Sequence, residues 1–247
     1  LDSGALGADS VTAVVRRPAR AAELEKRYGI AASPGDGSVV KNADVVLLCV
    51  KPQNARGVLE GLRSELEGKL LVSICAGLGL ADLALCLPET RLVRAMPNTP
   101  SLIREGMSVI APGPKSTTDD MSLARQIFSS VGRCLELDEK HMDAVTGLSG
   151  SGPAFACVVL ESLADGGVMM GLPRDVAVEL AAQTMQGAAR LVLHSGLHPA
   201  ALKDQVTTPA GCTIAGLLTM EDGRIRSTLA RTIQEATKVA SGLGQKD

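Results

Sequence analysis

The sequence predicts a doubly wound α/β sheet of the Rossmann type, lacking its first strand and glycine loop, followed by an all-α dimerisation domain. Three observations carry this expectation. Residues 1–139 alternate short apolar or β-branched runs with segments of helical periodicity. Residues 140–247 show no strand-like alternation and read as long apolar helices. The G-x-G-x-x-G fingerprint that opens a dinucleotide fold occurs nowhere in the chain.

Taken in order, Val11–Val15 is the first β-branched run, and Ala21, Leu24 and Tyr28 follow at helical spacing. Val45–Val50 is a continuous apolar run ended by Lys51-Pro52, and Leu70–Ile74, apolar but for Ser73, reads as another buried strand, stopped by Gly77. Unbroken apolar runs of this length are the mark of strands covered on both faces. Between them, Val58, Leu59, Leu62 and Leu66 share one helix face. Leu92–Arg94, Met107–Ile110 and Cys134–Leu137 read as further strands, with Met121, Ala124, Ile127 and Phe128 marking a helix. Leu1-Asp2-Ser3-Gly4 reads as a helix end closed by a glycine. Val11–Val15 is then the second strand of the fold, and a strand, phosphate-binding loop and helix of about 25–30 residues are expected upstream. Without them the sheet should carry a gap, and the chain should have negligible affinity for a dinucleotide.

Past residue 140, Pro153–Met170 and Pro173–His194 each begin with a proline, a good first-turn residue. Both are apolar nearly all round, so they belong in an interior. A domain of this size has too little bulk to hide them, which predicts a homodimer or higher homo-oligomer built on these helices. A self-contained bundle is the plainer alternative.

Composition narrows the partners. A net charge of −2 and 1% aromatic residues leave neither the basic surface nor the stacking platforms that nucleic acid requires. No apolar run continues unbroken for the roughly 18 residues of a membrane span, so no membrane partner is expected. The six cysteines include no C-x-x-C pair and fit a reducing, cytoplasmic setting; an organellar address would lie in the N-terminal region that the chain lacks. His194 and His198 are separated by Gly196, with Pro199 next, and no metal site is expected there. Ser149 and Ser151 do not form the G-x-S-x-G of a hydrolase and suit a glycine-rich helix entry.

Several segments together resemble the pyrroline-5-carboxylate reductase family, in family order and over essentially the whole chain. They are Val50-Lys51-Pro52, Arg94-Ala95-Met96-Pro97-Asn98-Thr99-Pro100, and Asp143 to Ala154 with its continuation to Pro173. The most specific runs from Pro199 through Leu202-Lys203-Asp204 to Val206-Thr207-Thr208-Pro209-Ala210-Gly211-Cys212-Thr213-Ile214-Ala215-Gly216-Leu217. The resemblance implies reduction of 1-pyrroline-5-carboxylate to L-proline, the last step of proline biosynthesis, with NADPH or NADH as hydride donor.

The resemblance also places the site. Thr208 and the amides of Gly211, Cys212 and Thr213 would hold the substrate carboxylate at the start of a helix, where free N–H groups and the dipole favour an anion. Thr213 would set its hydroxyl beside the imine nitrogen as the catalytic side chain. Thr207 and Thr208 as simple helix caps is the plainer reading. Cofactor contacts are expected from strand ends: Val50, Lys51 and Pro52; Cys75, Ala76 and Gly77; and Asn98 nearby. Asp36 stands where relatives often have an Asn against the adenosine. Arg16 and Arg17 follow the first visible strand, where a base suits the 2′-phosphate of NADPH; two solvated surface arginines would read the same. Two rivals remain. A two-domain hydroxyacid dehydrogenase would need a general base, typically a Lys on an inner helix, and no lysine lies between Lys140 and Lys203. A non-catalytic dimerisation scaffold would explain the missing glycine loop, while the intact Thr213 segment argues for an enzyme.

Overall fold

The computed structural model describes residue 1, residues 3–35 and residues 37–243. It divides into two compact units: Leu1–Gly150 together with the chain from Glu235 on, and Ser151–Gln234. The sequence placed the boundary at residues 139/140; the structural division falls later, because residues 139–150 are held to the first unit by contacts described below.

In the first unit, β1 (Thr12–Val15), α1 (Pro18–Tyr28) and β2 (Ala31–Pro34) form a parallel two-stranded unit. A five-stranded sheet follows in the order β3 (Val45–Leu48), β4 (Leu70–Ser73), β5 (Arg91–Met96), β6 (Gly106–Pro112) and β7 (Gly132–Glu136). All its pairings are parallel except β5 with β6. The crossovers are α2 (Pro52–Gly61), α3 (Leu80–Cys86) and α4 (Thr118–Ser129). Among the described residues, no strand joins β1 to β3, so each keeps one open edge. In a doubly wound sheet the strand between them is the central one.

The open edge changes burial. Every residue of β4 is buried, Ser73 included, as its largely apolar run predicts. β3 reads the same way in sequence, yet Leu47 is 44% exposed while Leu48 is buried. Two cores flank the sheet. Leu71, Leu92 and Met96 lie in one with α2, α3 and Met142. Leu70, Val72, Val93 and Ala95 lie in the other with Met121, Ala124 and Phe128 of α4. Period-two alternation along β4 and β5 makes this partition. Thr117 and Asp120 form a reciprocal capping box at the start of α4, and Asp120 also pairs with Arg91, so this buried carboxylate is compensated.

The second unit is entirely helical: α6 (Gly152–Met169), α7 (Arg174–Ser195), α8 (Pro199–Gln205), α9 (Cys212–Asp222) and the first part of α10 (Ile225–Gly242). α6 and α7 form an antiparallel hairpin around Gly171, which adopts φ +97°. A four-residue helix, α5 (Met142–Val145), and a π-helical turn (Thr146–Gly150) lead from the first unit into α6. The helical run Glu139–Met169 reaches a mean hydropathy of 1.2 with 6% of that window buried. By length and composition this run matches a membrane span, although Glu161 and Asp165 lie within it. That differs from the sequence expectation, which asked for an unbroken apolar run rather than a mean.

Candidate active site

The expected cofactor residues gather at the carboxyl ends of parallel strands. Arg16 and Arg17 lie directly past β1, exposed, and their side chains make no hydrogen bond or ion pair among the described residues. Arg17 is the N-cap of α1 and Lys51 is the N-cap of α2; neither helix has a side-chain cap, and each has proline in its first turn. Proline has no N–H, and the Arg20 and Asn54 amides bond back to the Arg17 and Lys51 carbonyls at 3.0 and 2.9 Å, so the Ala19 and Gln53 amides are the first-turn donors left to meet an anion. Val50, Lys51 and Pro52 form the β3–α2 junction, and Cys75, Ala76 and Gly77 form the β4 exit. The two exits are tied together: the Cys75 thiol donates to the Val50 carbonyl at 3.2 Å, and the Cys75 amide donates to Ser73 Oγ at 3.3 Å. Burial pushes the Cys75 thiol up from its ordinary value, so it stays protonated at neutral pH and keeps that donor. Gly77 turns the chain at φ +75°, a conformation that glycine adopts without penalty. Asp36 lies outside the described residues.

Asn98 departs from its expected role. Its Nδ2 donates to Ser149 O at 3.2 Å and Ser149 Oγ at 3.3 Å, and its Oδ1 accepts from the Met107 amide at 2.8 Å. Both ends of the side chain are committed inside the protein, leaving little capacity for a cofactor.

Sequence reasoning missed a second anchor. Arg94 is 4% exposed in the middle of β5. Its Nη1 donates to Glu139 Oε1 at 3.2 Å, and its Nη2 lies 3.6 Å from Asp143 Oδ1. The same Glu139 oxygen accepts the Leu80 amide at the first turn of α3. An arginine inside the run Leu92-Val93-Arg94-Ala95-Met96 was the signal, because a buried charge needs a partner.

The expected substrate residues gather in one turn of the second unit. Thr207 Oγ1 bonds back to the Lys203 carbonyl at 2.7 Å, closing α8. Ala210 adopts φ +57°, and the Gly211 amide donates to Thr208 O at 3.2 Å. Gly211 is the N-cap of α9 and offers no side-chain oxygen to its amides. A Cβ on Gly211 would lie 2.4 Å from Thr208 Oγ1, so the turn admits only glycine there without a shift. Cys212 is exposed, and the Thr208 and Thr213 hydroxyls have no hydrogen-bond partner among the described residues. Thr208 is thus no cap of α9, contrary to the plainer reading. The result is an uncapped helix start beside two free hydroxyls, a set of donors suited to a carboxylate. His198, set aside above as a metal ligand, accepts the Ala200 amide on Nδ1 at 3.2 Å and caps α8.

Fold and site together define a two-part protein: a dinucleotide-binding sheet followed by a helical unit that carries an uncapped helix start beside two unpartnered hydroxyls. The family model described as pyrroline-5-carboxylate reductase dimerisation matches residues 139–243, and one described as NADP oxidoreductase, coenzyme F420-dependent, matches residues 1–77. The chain is 48% identical to a pyrroline-5-carboxylate reductase of Schizosaccharomyces pombe, covering 94% of this chain and 85% of the relative. It is 42% identical to the enzyme of that name from Arabidopsis thaliana, covering 98% and 88%. A Plasmodium falciparum pyrroline carboxylate reductase structure with NADP bound superposes with a TM-score of 0.89 at 29% identity, covering 98% of this chain and 90% of that one. A Coxiella burnetii pyrroline-5-carboxylate reductase gives 0.90 at 29%, covering 97% and 90%. The chain belongs to the pyrroline-5-carboxylate reductase family.

Proposed function

We propose that this protein reduces 1-pyrroline-5-carboxylate to L-proline with NADPH or NADH. The observation that carries the reading is the uncapped start of α9 beside the unpartnered Thr208 and Thr213 hydroxyls, on a chain 48% identical to a reductase of that name. The substrate is a five-membered imine with a carboxylate. Its carboxylate docks on the amides of Cys212 and Thr213, with Thr208 Oγ1 as a further donor; the Gly211 amide is held by Thr208 O and shapes the turn rather than meeting the anion. This fixes the ring against one hydroxyl, that of Thr213. A hydroxyl accepts a hydrogen bond from the protonated imine nitrogen and donates one to the product amine, so it holds the nitrogen through the reaction. The rival dehydrogenase reading needs a strong base for an alcohol proton, and the chemistry here needs none.

The dinucleotide fits the first unit at the uncapped starts of α1 and α2 and at the exits of β3 and β4. Arg16 and Arg17 favour a 2′-phosphate and so NADPH. When bound, the nicotinamide supplies the hydride that the imine carbon accepts. Val50, Lys51, Pro52, Cys75, Ala76 and Gly77 shape its seat, and small residues at the β4 exit allow close approach.

The helical unit forms a homodimer. In a single chain, Val158 is 61% exposed and Leu163 51% on α6, beside a family match described as dimerisation. A second copy of the same helices covers apolar surface of this kind. A cytoplasmic location suits the unpaired cysteines. The deciding experiment follows NADPH oxidation at 340 nm with synthetic pyrroline-5-carboxylate and identifies the product as L-proline by mass. Oxidation independent of the imine, or no oxidation by a nucleotide-saturated protein, rejects the reading.

A further inference from the structure

β5 alternates its side chains between the two cores, so Arg94, Met96 and Asn98, continuing its spacing just past the strand, share one side of the sheet. All three grip the same piece of chain. Arg94 takes Glu139 and Asp143. Met96 shares its buried cluster with Met142, and its sulfur lies 3.8 Å from where a Cβ on Gly150 would be. Asn98 takes Ser149. The gripped segment, 139–150, makes up most of the connector between β7 and α6, and its last turn is π-helical, a geometry that recurs at functional sites.

We propose that Asn98 is a positioning residue of the reductase: by binding Ser149 it fixes the point from which α6 leaves the dinucleotide-binding unit. This rests on the reductase reading given above. Asn98 acts through Ser149 and touches neither substrate nor nucleotide. Hydride transfer is steep in distance, and a displacement of about 1 Å far from the chemistry can cost about 100-fold in rate. A loosened connector therefore lowers the rate of the chemical step and leaves the separate binding sites whole.

The discriminating variant is Asn98→Asp. Aspartate still accepts the Met107 amide, so the β6 contact survives, but it has no donor for Ser149 O and sets a carboxylate against that carbonyl. Asn98→Asp and Asn98→Ala are compared with wild type in steady-state kinetics, thermal unfolding and hydrogen exchange. The expected result is a kcat lowered about 10- to 100-fold in both variants. KM for imine and nucleotide should stay within about threefold of wild type, melting of Asn98→Asp should be near wild type, and amides 146–152 should exchange faster. A wild-type kcat in Asn98→Asp overturns the proposal, as does a raised nucleotide KM with unchanged kcat, which would make Asn98 a cofactor ligand. Hydrogen exchange needs no turnover, so unchanged protection at 146–152 rejects the clamp even if the protein reduces some other substrate. Failure of wild type to reduce the imine rejects the reductase reading alone.

Discussion

At the scale of single residues, the turn into α9 was the most legible part of the molecule. Thr207-Thr208-Pro209-Ala210-Gly211-Cys212 announced a helix start near Cys212, and α9 begins there. Its donors carry a kinetic prediction. Thr213→Ala should lower kcat about 100-fold or more, the scale for removing one aligned polar stabiliser, measured as imine-dependent NADPH oxidation; turnover like wild type would remove Thr213 from the chemistry. Gly211→Ala forces its new methyl against the Thr208 hydroxyl. It should raise KM for the imine more than it lowers kcat, because the anion cradle is distorted before any bond changes. Asn98 was less legible. An asparagine after a strand end looks the same whether it reaches toward a ligand or back to Ser149, and only the partner's position decides.

At the scale of elements, β4, α6 and α7 were legible from the length and near-continuity of their apolar runs, and they lie where those runs predict. Three features were not. β2, Ala31–Pro34, carries no β-branched residue, so nothing marked it as a strand. α2 ends at Gly61, although Leu62 and Leu66 continue its apolar spacing; both pack on the core from a turn, and packing alone fixes the period without requiring a helix. The connector 139–150 reads as the start of the helical domain, yet it belongs to the sheet through Arg94. Arg94→Leu leaves Glu139 and Asp143 without their cation. Because these carboxylates are about one-third exposed, the expected loss is about 3 kcal/mol, the low end for breaking a buried pair, read from urea denaturation. A loss under about 0.5 kcal/mol, the scale of an ordinary surface substitution, would show that the network contributes little.

At the scale of the whole molecule, fold class was readable from strand–helix alternation followed by apolar helices, and the family from the resemblance carried chiefly by residues 199–217. What the pattern could not convey was how much apolar surface one copy leaves open. Leu163→Asp puts a charge into the α6 surface assigned to the dimer. Sedimentation should show wild type as a dimer or larger and the variant shifted toward monomer. A wild-type monomer at micromolar concentration would remove the dimer proposal.

The alanine at position 210 sits in a backbone region that alanine avoids. Such a shape persists only when the surrounding chain dictates it, here through the Gly211 amide on Thr208 O and the closure of α8 by Thr207. The cradle is therefore shaped before any guest arrives. Docking then carries little entropy of ordering, and more of the contact energy remains to grip a small, rigid ring.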